Sequence, residues 1–236
     1  MSICLDLAIV AIVALCAWRG FRTGIINGVS WIVALVIAIY GANLVSTAYY
    51  SEFSDMLEPF AQGVVENTLN GSGDDDSDAI ISPDMTLDEL EGLDVYEVSR
   101  AALEKLGIAD GPAEEIAREV AETNDRVGTQ MTAELTALLC DRAAFVAVFA
   151  IAFAIIAIVF TIIGNIFDLS FGLPGHENLN HITGAALGII RGIIIILVIG
   201  CIDRYLGLLI SAEAMDKTLI FRHLVETNKL AELLKI

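Results

Sequence analysis

The chain has 236 residues, of which 56% are hydrophobic, and yet its formal net charge is -18. This much apolar surface excludes an ordinary soluble domain. The negative charge is confined to one segment: residues 49–142 hold 23 acidic and 5 basic side chains, whereas the rest of the chain holds 8 of each. A block this acidic repels phosphates, so we exclude a nucleic-acid-binding protein.

Residues 3–18 and 25–48 are predicted to form the first two transmembrane helices. A hydrocarbon core of ~30 Å needs ~20 apolar residues at a rise of ~1.5 Å each. Residues 25–48 carry no charge, whereas 3–18 is short and contains Asp6. We expect the shorter helix to reach across because Arg19 and Arg22 can extend to the headgroups. No basic residue precedes it, so we expect it to be retained rather than cleaved as a signal peptide.

Residues 49–142 are predicted to be an acidic, mostly helical insert. A Gly, Ser and Asp stretch at 71–78 is typical of a solvated linker. Between 86 and 142 we expect two or three amphipathic helices, the last of them continuing into the third span. Their start and end signals are Thr86 with Glu89, Asp94 with Glu97, Gly107, and Gly111-Pro112. Their apolar positions are Val95, Val98, Ala102 and Leu106, and then Ile116, Val120, Val127, Met131, Leu135 and Leu138.

Two further spans and a tail follow the insert. Residues 143–167 contain no charge and form the most apolar predicted span, and 182–210 form the fourth. Residues 211–236 are predicted to be an amphipathic helix that lies on the membrane surface or packs on the insert, and the pattern leaves both alternatives open.

Orientation is predicted from the short link at residues 19–24, which carries two arginines and no acidic residue. This link is expected in the cytoplasm, so the N-terminus and the insert are expected outside a cell (inner) membrane. Basic residues after the fourth span, including Lys217 and Arg222, favour the opposite orientation. We base the predicted orientation on the arginines of the first link.

Small residues recur at helical spacing in four places. In lipid they mark where helix backbones approach closely, so we predict packing faces there. One row lies in the third span, at Ala143, Ala147, Ala150, Ala154, Ala157, Thr161 and Gly164, and another in the second, at Asn27, Ser30, Ala34, Ala38 and Gly41. Two glycine ladders, each next to an Arg-Gly pair, indicate close packing or a faint internal repeat: Gly20, Gly24 and Gly28 beside Arg19, and Gly184, Gly188 and Gly192 beside Arg191.

No catalytic, cofactor or metal site is expected. His176 and His181 are five residues apart, which turns them about 140° from each other on a helix instead of onto one face, and Pro174-Gly175 favours a loop there. The Asp74–Asp78 run lacks the glycine and glutamate of a calcium loop. The four cysteines are interpreted as small apolar residues, with a disulfide among Cys4, Cys140 and Cys201 as the alternative.

Charged residues inside the predicted spans are Asp6, Arg191, Asp203 and Arg204. Charges are costly in lipid, so we expect these side chains to face protein or water. Structural ion pairs or extension to the interface is the preferred interpretation, and an ion or solute path is the alternative.

Several motifs resemble the colicin V production (CvpA) family. They are Leu5-Asp6-Leu7, residues 19–24 (RGFRTG), residues 172–175 (GLPG) and residues 180–192 (NHITGAALGIIRG). The resemblance covers about 1–48 and 143–210, with His181 at a position where Arg or Lys is expected and with Glu177-Asn178 lengthening the second link. It implies an inner-membrane protein linked to export of a peptide toxin and to envelope maintenance, and it carries over no catalytic residue.

The sequence therefore predicts an all-α integral membrane protein with four transmembrane helices in two hairpins. Hairpin 1 is 1–48, the extracytoplasmic insert is 49–142, hairpin 2 is 143–210, and the amphipathic C-terminal helix is 211–236. We expect a non-enzymatic envelope or secretion factor, with a small channel or transporter as the alternative. Expected partners are the lipid bilayer and other membrane or envelope proteins, or a second copy. Candidate functional or packing residues are Asp6, Arg19, Gly20, Gly24, Gly184, Gly188, Arg191 and Gly192.

Overall fold

The structure, a computed structural model, describes residues 2–71, 79–81, 85, 92–167 and 177–206. These residues form helices and no strand, as predicted. The helices are α1 (Ser2–Asn70), α2 (Val95–Lys105), α3 (Asp110–Thr123), α4 (Thr129–Phe167) and α5 (Glu177–Leu206). By length and composition, three of them are able to cross a membrane, within Asp6–Asn70, Thr129–Gly164 and Asn180–Ile202. Helix α1 includes both residue ranges, 3–18 and 25–48, that the sequence predicts as spans of hairpin 1.

The described residues divide into two compact units. Residues 2–47 and 148–202 form the unit that we call the membrane unit, and the described residues between 48 and 147 form the insert unit.

Helix α1 is broken at Gly24, which has φ 81° and ψ 179°. Only glycine adopts this conformation at low cost, because a Cβ would collide with the backbone. The break divides α1 into an N-terminal arm, residues 2–23, and a C-terminal arm, residues 25–70. The direction in which α1 contacts α5 changes at this residue.

Contacts with α5 show that change of direction. In the N-terminal arm, Val13, Cys16 and Gly20 lie against Gly192, Gly188 and Gly184 in turn, so residue numbers rise on one helix as they fall on the other. In the C-terminal arm, Gly28 lies against Leu187, and Ala42 shares a buried cluster with Val198 and Cys201, so the numbers rise together.

Helix α4 contacts α1 through a face that differs from the predicted row of small residues. Phe149 and Ala152 are buried beside Ala42, whereas Ala154, a member of the predicted row, is exposed. The small side chain at this contact is Ala42 of α1, which is fully buried. It leaves room for the large Phe149 ring, so the prediction that the small row of α4 forms its packing face is wrong at Ala154.

The insert unit has its own apolar core, built where the sequence predicted amphipathic helices. Asp94 caps α2 by accepting a hydrogen bond of 2.9 Å from the Tyr96 N–H. Gly107, at φ 87°, ends α2 in a Schellman turn in which the Ile108 N–H donates to the Leu103 carbonyl. The core comprises Val65, Leu69, Val95, Val98, Ala102, Leu103, Ile108, Ala113, Ile116, Val120, Met131 and Leu135.

Charged side chains pair on the surface of the insert unit. Arg100 Nε lies 2.7 Å from Glu104 Oε1, and this carboxylate raises the pKa of the Arg100 guanidinium. Arg142 Nη2 lies 3.5 Å from Glu119 Oε2, which joins α4 to α3. Exposed pairs of this kind contribute little to stability.

Helix α1 continues through the predicted domain boundary at residue 48 to Asn70, because Val65 and Leu69 are buried in the insert core. Two other predictions differ from the structure. The apolar side predicted to continue from Ile116 to Leu138 is interrupted, because α3 ends at Thr123 and α4 begins at Thr129. The loop predicted around His181 is wrong from residue 177 onward, since α5 begins at Glu177 and its Asn180 and His181 contact the break in α1.

The continuation of the last insert helix into the third span is confirmed by α4, one helix over Thr129–Phe167. Other predictions lie outside the described residues. These are the Asp74–Asp78 linker, the cap at Thr86 and Glu89, His176, the amphipathic tail at 211–236, and the side chains of Cys4, Asp203 and Arg204.

Candidate functional site: the Gly24 break and the Arg191 cavity

The two glycine ladders meet along the contact between α1 and α5. A Cβ on Gly20 would collide with the Gly184 carbonyl oxygen, and a Cβ on Gly188 would collide with that of Cys16. A Cβ on Gly192 would lie 3.1 Å from Val13 Cα, which is still tighter than ordinary contact. Backbone therefore touches backbone over two turns of helix, and side chains larger than hydrogen are excluded there.

Polar groups of α5 bind the free backbone groups at the break in α1. Asn180 Oδ1 accepts a hydrogen bond of 2.9 Å from the Ile25 N–H, which begins the C-terminal arm and has no acceptor within its own helix. The His181 ring lies with Nδ1 2.6 Å from the Phe21 carbonyl oxygen, and since that oxygen only accepts, Nδ1 carries the proton. The side chains of Asn180 and His181, on α5, thus cap the two helix ends of α1 that meet at the break.

Arg191 of α5 lines a small cavity on the other side of this contact. Its Cζ lies 3.8 Å from the centroid of the Trp31 ring, a cation–π distance, and its Nε is buried without a hydrogen-bond partner among the described residues. The cavity has a volume of about 40 Å³. It is lined by Cys16, Arg19, Gly20, Thr23, Asn27, Gly28, Trp31, Gly164, Leu187, Gly188 and Arg191.

An apolar groove adjoins this cavity between the C-terminal arm and α4. The groove has a volume of about 360 Å³, and Asn27, Trp31 and Gly164 line both spaces. Its remaining lining is Val29, Ser30, Val33, Ala34, Ile37, Phe160 and Ile163.

The candidate residues from the sequence fall into two groups. The first group lies at the contact between α1 and α5 or in the cavity beside it, and comprises Arg19, Gly20, Gly24, Gly184, Gly188, Arg191 and Gly192. Asp6 lies apart from them, 13 residues before Arg19 and therefore about 20 Å away along a helix. Its Oδ1 is buried without a partner among the described residues, as is Asn43 Oδ1.

Four site residues were not among the predicted ones: Asn27, Trp31, Asn180 and His181. Asn180 and His181 were noted only as part of a motif, and Asn27 only as part of a small-residue row. One signal that could have found Asn180 and His181 is the placement of polar side chains directly before a glycine ladder, where they can reach a neighbouring helix end. Trp31 has no signal in one sequence, because tryptophan is common near membrane interfaces.

The described residues offer binding groups rather than a recognisable catalytic centre. Among them, no group of three or more His, Cys, Asp and Glu side chains could hold a metal ion. The Arg191 cavity combines a cation with the side-chain amide of Asn27, whereas the Thr23 hydroxyl that also lines it donates to the Arg19 carbonyl. This combination can bind an anion by charge and hydrogen bonds.

Comparisons with known proteins support the motif resemblance. No curated protein and no solved structure matches the chain. The family described as "Colicin V production protein" matches residues 125–229, a range that includes α4, α5 and the Gly184–Gly192 ladder, and that leaves out α1. The predicted family is therefore confirmed over the second half of the resemblance, while residues 1–48 lie outside the match, and residues 125–229 of this chain match the colicin V production protein family.

Proposed function

We propose that this protein supports the production or export of a peptide toxin, and maintenance of the cell envelope, from the cell (inner) membrane. It acts by contacting other proteins and carries out no catalysis. The proposal is supported by the family match over residues 125–229 and by three helices apolar enough to cross a membrane.

Four membrane crossings in two hairpins are part of this proposal. The contacts of the N-terminal arm with α5 run in opposite directions, whereas those of the C-terminal arm run in the same direction, which supports a reversal at Gly24. Trp31 and Gly164 line one groove, whereas Ala42 lies beside Phe149, so residue numbers fall along α4 as they rise along the C-terminal arm, and the two run in opposite directions. With Arg19 and Arg22 in the cytoplasm, the insert unit lies outside.

The observation that carries a contact function is a row of exposed apolar side chains on α1 within the insert unit. Met56 is 60% and Phe60 75% exposed, and both follow the predicted end of the second span. The full row, at helical spacing, is Tyr49, Phe53, Met56, Phe60 and Val64. Contiguous exposed apolar surface on a folded unit marks an interaction site.

The charge of the insert indicates the chemistry of its partner. Residues 49–142 carry a net charge of -18, and Glu52, Asp55 and Glu58 lie among the exposed apolar positions of α1. A basic, amphipathic polypeptide complements both features, because it supplies an apolar face and positive charge together.

Toxin export tests the proposal. A host that lacks its own colicin V production protein and makes a peptide toxin is complemented with the chain or with its variants. We expect M56D/F60D to reduce extracellular toxin at least about tenfold at unchanged protein abundance, because charge at the centre of an apolar contact is costly. The matched control Asn67→Asp, on an exposed polar position of the same helix, should export normally. Equal export from both variants contradicts the proposal.

A channel or transporter is the second candidate, favoured by Asp6 and Asn43. Each has a buried side-chain oxygen without a partner among the described residues, and unpaired polar groups in a membrane protein are frequent along ion paths. Against it, the middle of each predicted span is apolar, and the polar cavity at Arg191 has room for about three waters at ~10–15 Å³ each.

A further inference from the structure

Arg191 presents a charge that the described protein does not neutralise. It lies within α5, with apolar residues on both sides, and its described contact is the face of Trp31. The cavity that it lines also contains Arg19, and no acidic residue is among the lining groups. Two guanidinium groups beside one cavity in a membrane-spanning unit favour an anionic occupant, because an isolated charge in lipid is expensive.

The adjoining groove supplies the second half of a site. It is apolar over most of its lining and, at about 360 Å³, falls within the range of ~300–1,000 Å³ that is typical of ligand pockets. Since Asn27, Trp31 and Gly164 line both spaces, a molecule can place a charged end beside Arg191 and a hydrocarbon chain between the C-terminal arm and α4.

From this juxtaposition we infer that the membrane unit binds one anionic phospholipid. Its phosphate lies beside Arg191 and Asn27, and one acyl chain occupies the groove lined by Ala34 and Ile163. The cavity of about 40 Å³ has room for a phosphate group, and phosphatidylglycerol, an anionic lipid with a small headgroup, is the probe that we use. Basic pockets between transmembrane helices bind anionic headgroups in this way.

Trp31 makes the site measurable because its ring lines both spaces. The other tryptophan, Trp18, is 67% exposed and is changed to phenylalanine so that Trp31 is the single reporter. The full chain in detergent is titrated with phosphatidylglycerol that carries bromine on its acyl chains, since bromine quenches tryptophan on contact. We expect saturable quenching, and an apparent affinity at least about tenfold lower in Arg191→Gln, because a charged hydrogen-bond donor is lost.

Matched variants separate this site from general attraction of lipid to a basic surface. Arg22→Gln removes an exposed arginine near the same break that does not line the cavity, and it should change the affinity by less than about threefold. Ala34→Phe fills the groove and should abolish saturable quenching while the headgroup cavity stays open. If Arg191→Gln does not fold, Arg191→Lys retains the charge, and Ala34→Phe still tests the site.

The outcomes distinguish the sources of the anion. Brominated phosphatidylcholine that quenches as tightly as phosphatidylglycerol overturns the inference, because the site would then not select a negative lipid. Inorganic phosphate that stabilises the protein through Arg191, with no saturable lipid quenching, overturns it in favour of free phosphate. Saturable quenching that is equal in Arg191→Gln and Arg22→Gln also overturns it.

Discussion

Replacing Gly188 by alanine tests the close contact between α1 and α5 with a single added methyl group. The new Cβ would collide with the Cys16 carbonyl oxygen and lie 2.9 Å from Ala17 Cα. Both obstacles are backbone atoms, which no side-chain rotation can move. The N-terminal arm and α5 must therefore separate along the whole ladder, and the contacts at Gly20, Gly184 and Gly192 loosen with them.

The size of the effect follows from two opposing contributions. Overpacking of a tight contact costs about 1–3 kcal/mol. Alanine offsets about 0.5–1 kcal/mol of this, because glycine is the poorer helix former. We expect a net loss of about 1–2 kcal/mol, which changes the unfolding equilibrium constant by about 5–30-fold.

The assay is reversible unfolding in mixed micelles, followed by helical circular dichroism as denaturing detergent is added. Gly164→Ala is the matched control, since it adds a methyl group to α4 where nothing lies within 4 Å. The control should be as stable as the unaltered chain or slightly more stable. A Gly188→Ala protein as stable as Gly164→Ala would refute the packing argument.

Three further predictions address the break in α1 and the topology. Gly24→Ala should destabilise the protein by about 1–3 kcal/mol in the same unfolding assay, because φ 81° with ψ 179° strains any other residue, and Gly63→Ala, in open space on α1, should not. Asn180→Leu should cost about 1–3 kcal/mol by leaving the Ile25 N–H without its acceptor, whereas Asn180→Asp keeps an acceptor oxygen, and equal losses from both would contradict the capping role. A reporter fused after Gly71 should be active only if it is of the kind that works outside the cytoplasm, and activity of a cytoplasm-specific reporter there would reverse the proposed orientation.

The helices of the insert were predictable because their signals are local. The Asp94 cap, the apolar positions from Val95 to Leu106 and the terminating Gly107 lie within one stretch of chain, and the structure uses each of them. The end of α1 was not predictable in the same way. Its last turns carry Pro59 and several acidic residues, and they are held in the insert unit by the burial of Val65 and Leu69 against residues far along the chain.

The glycine ladders were visible in the sequence, but what they contact was not. Spacing by four predicts a helix face suited to close approach, and both ladders lie in the contact between α1 and α5. The row of small residues on α4 has equally regular spacing, and yet Phe149 and Ala152 are buried there while Ala154 is exposed. Spacing identifies a face that permits close packing, and the neighbouring helix decides which face is used.

Contacts between helices that are distant in the sequence account for the other site residues that were not predicted. Asn180 and His181 are functional only because they lie beside a break 155 residues and more earlier in the chain, and Trp31 only because Arg191 stacks on it. One sequence contains no information about such pairs unless their partners are already known to be adjacent.

The measurement that tests the proposed mode of action most directly is ion and solute flux through the purified chain in liposomes. If the protein acts by contacts, uptake and current should equal those of protein-free liposomes, and Asp6→Ala and Arg191→Ala should lower the amount of folded protein. Flux above that background, lost in either variant while its folding is normal, would contradict a contact function and show that these charged residues serve a transport path.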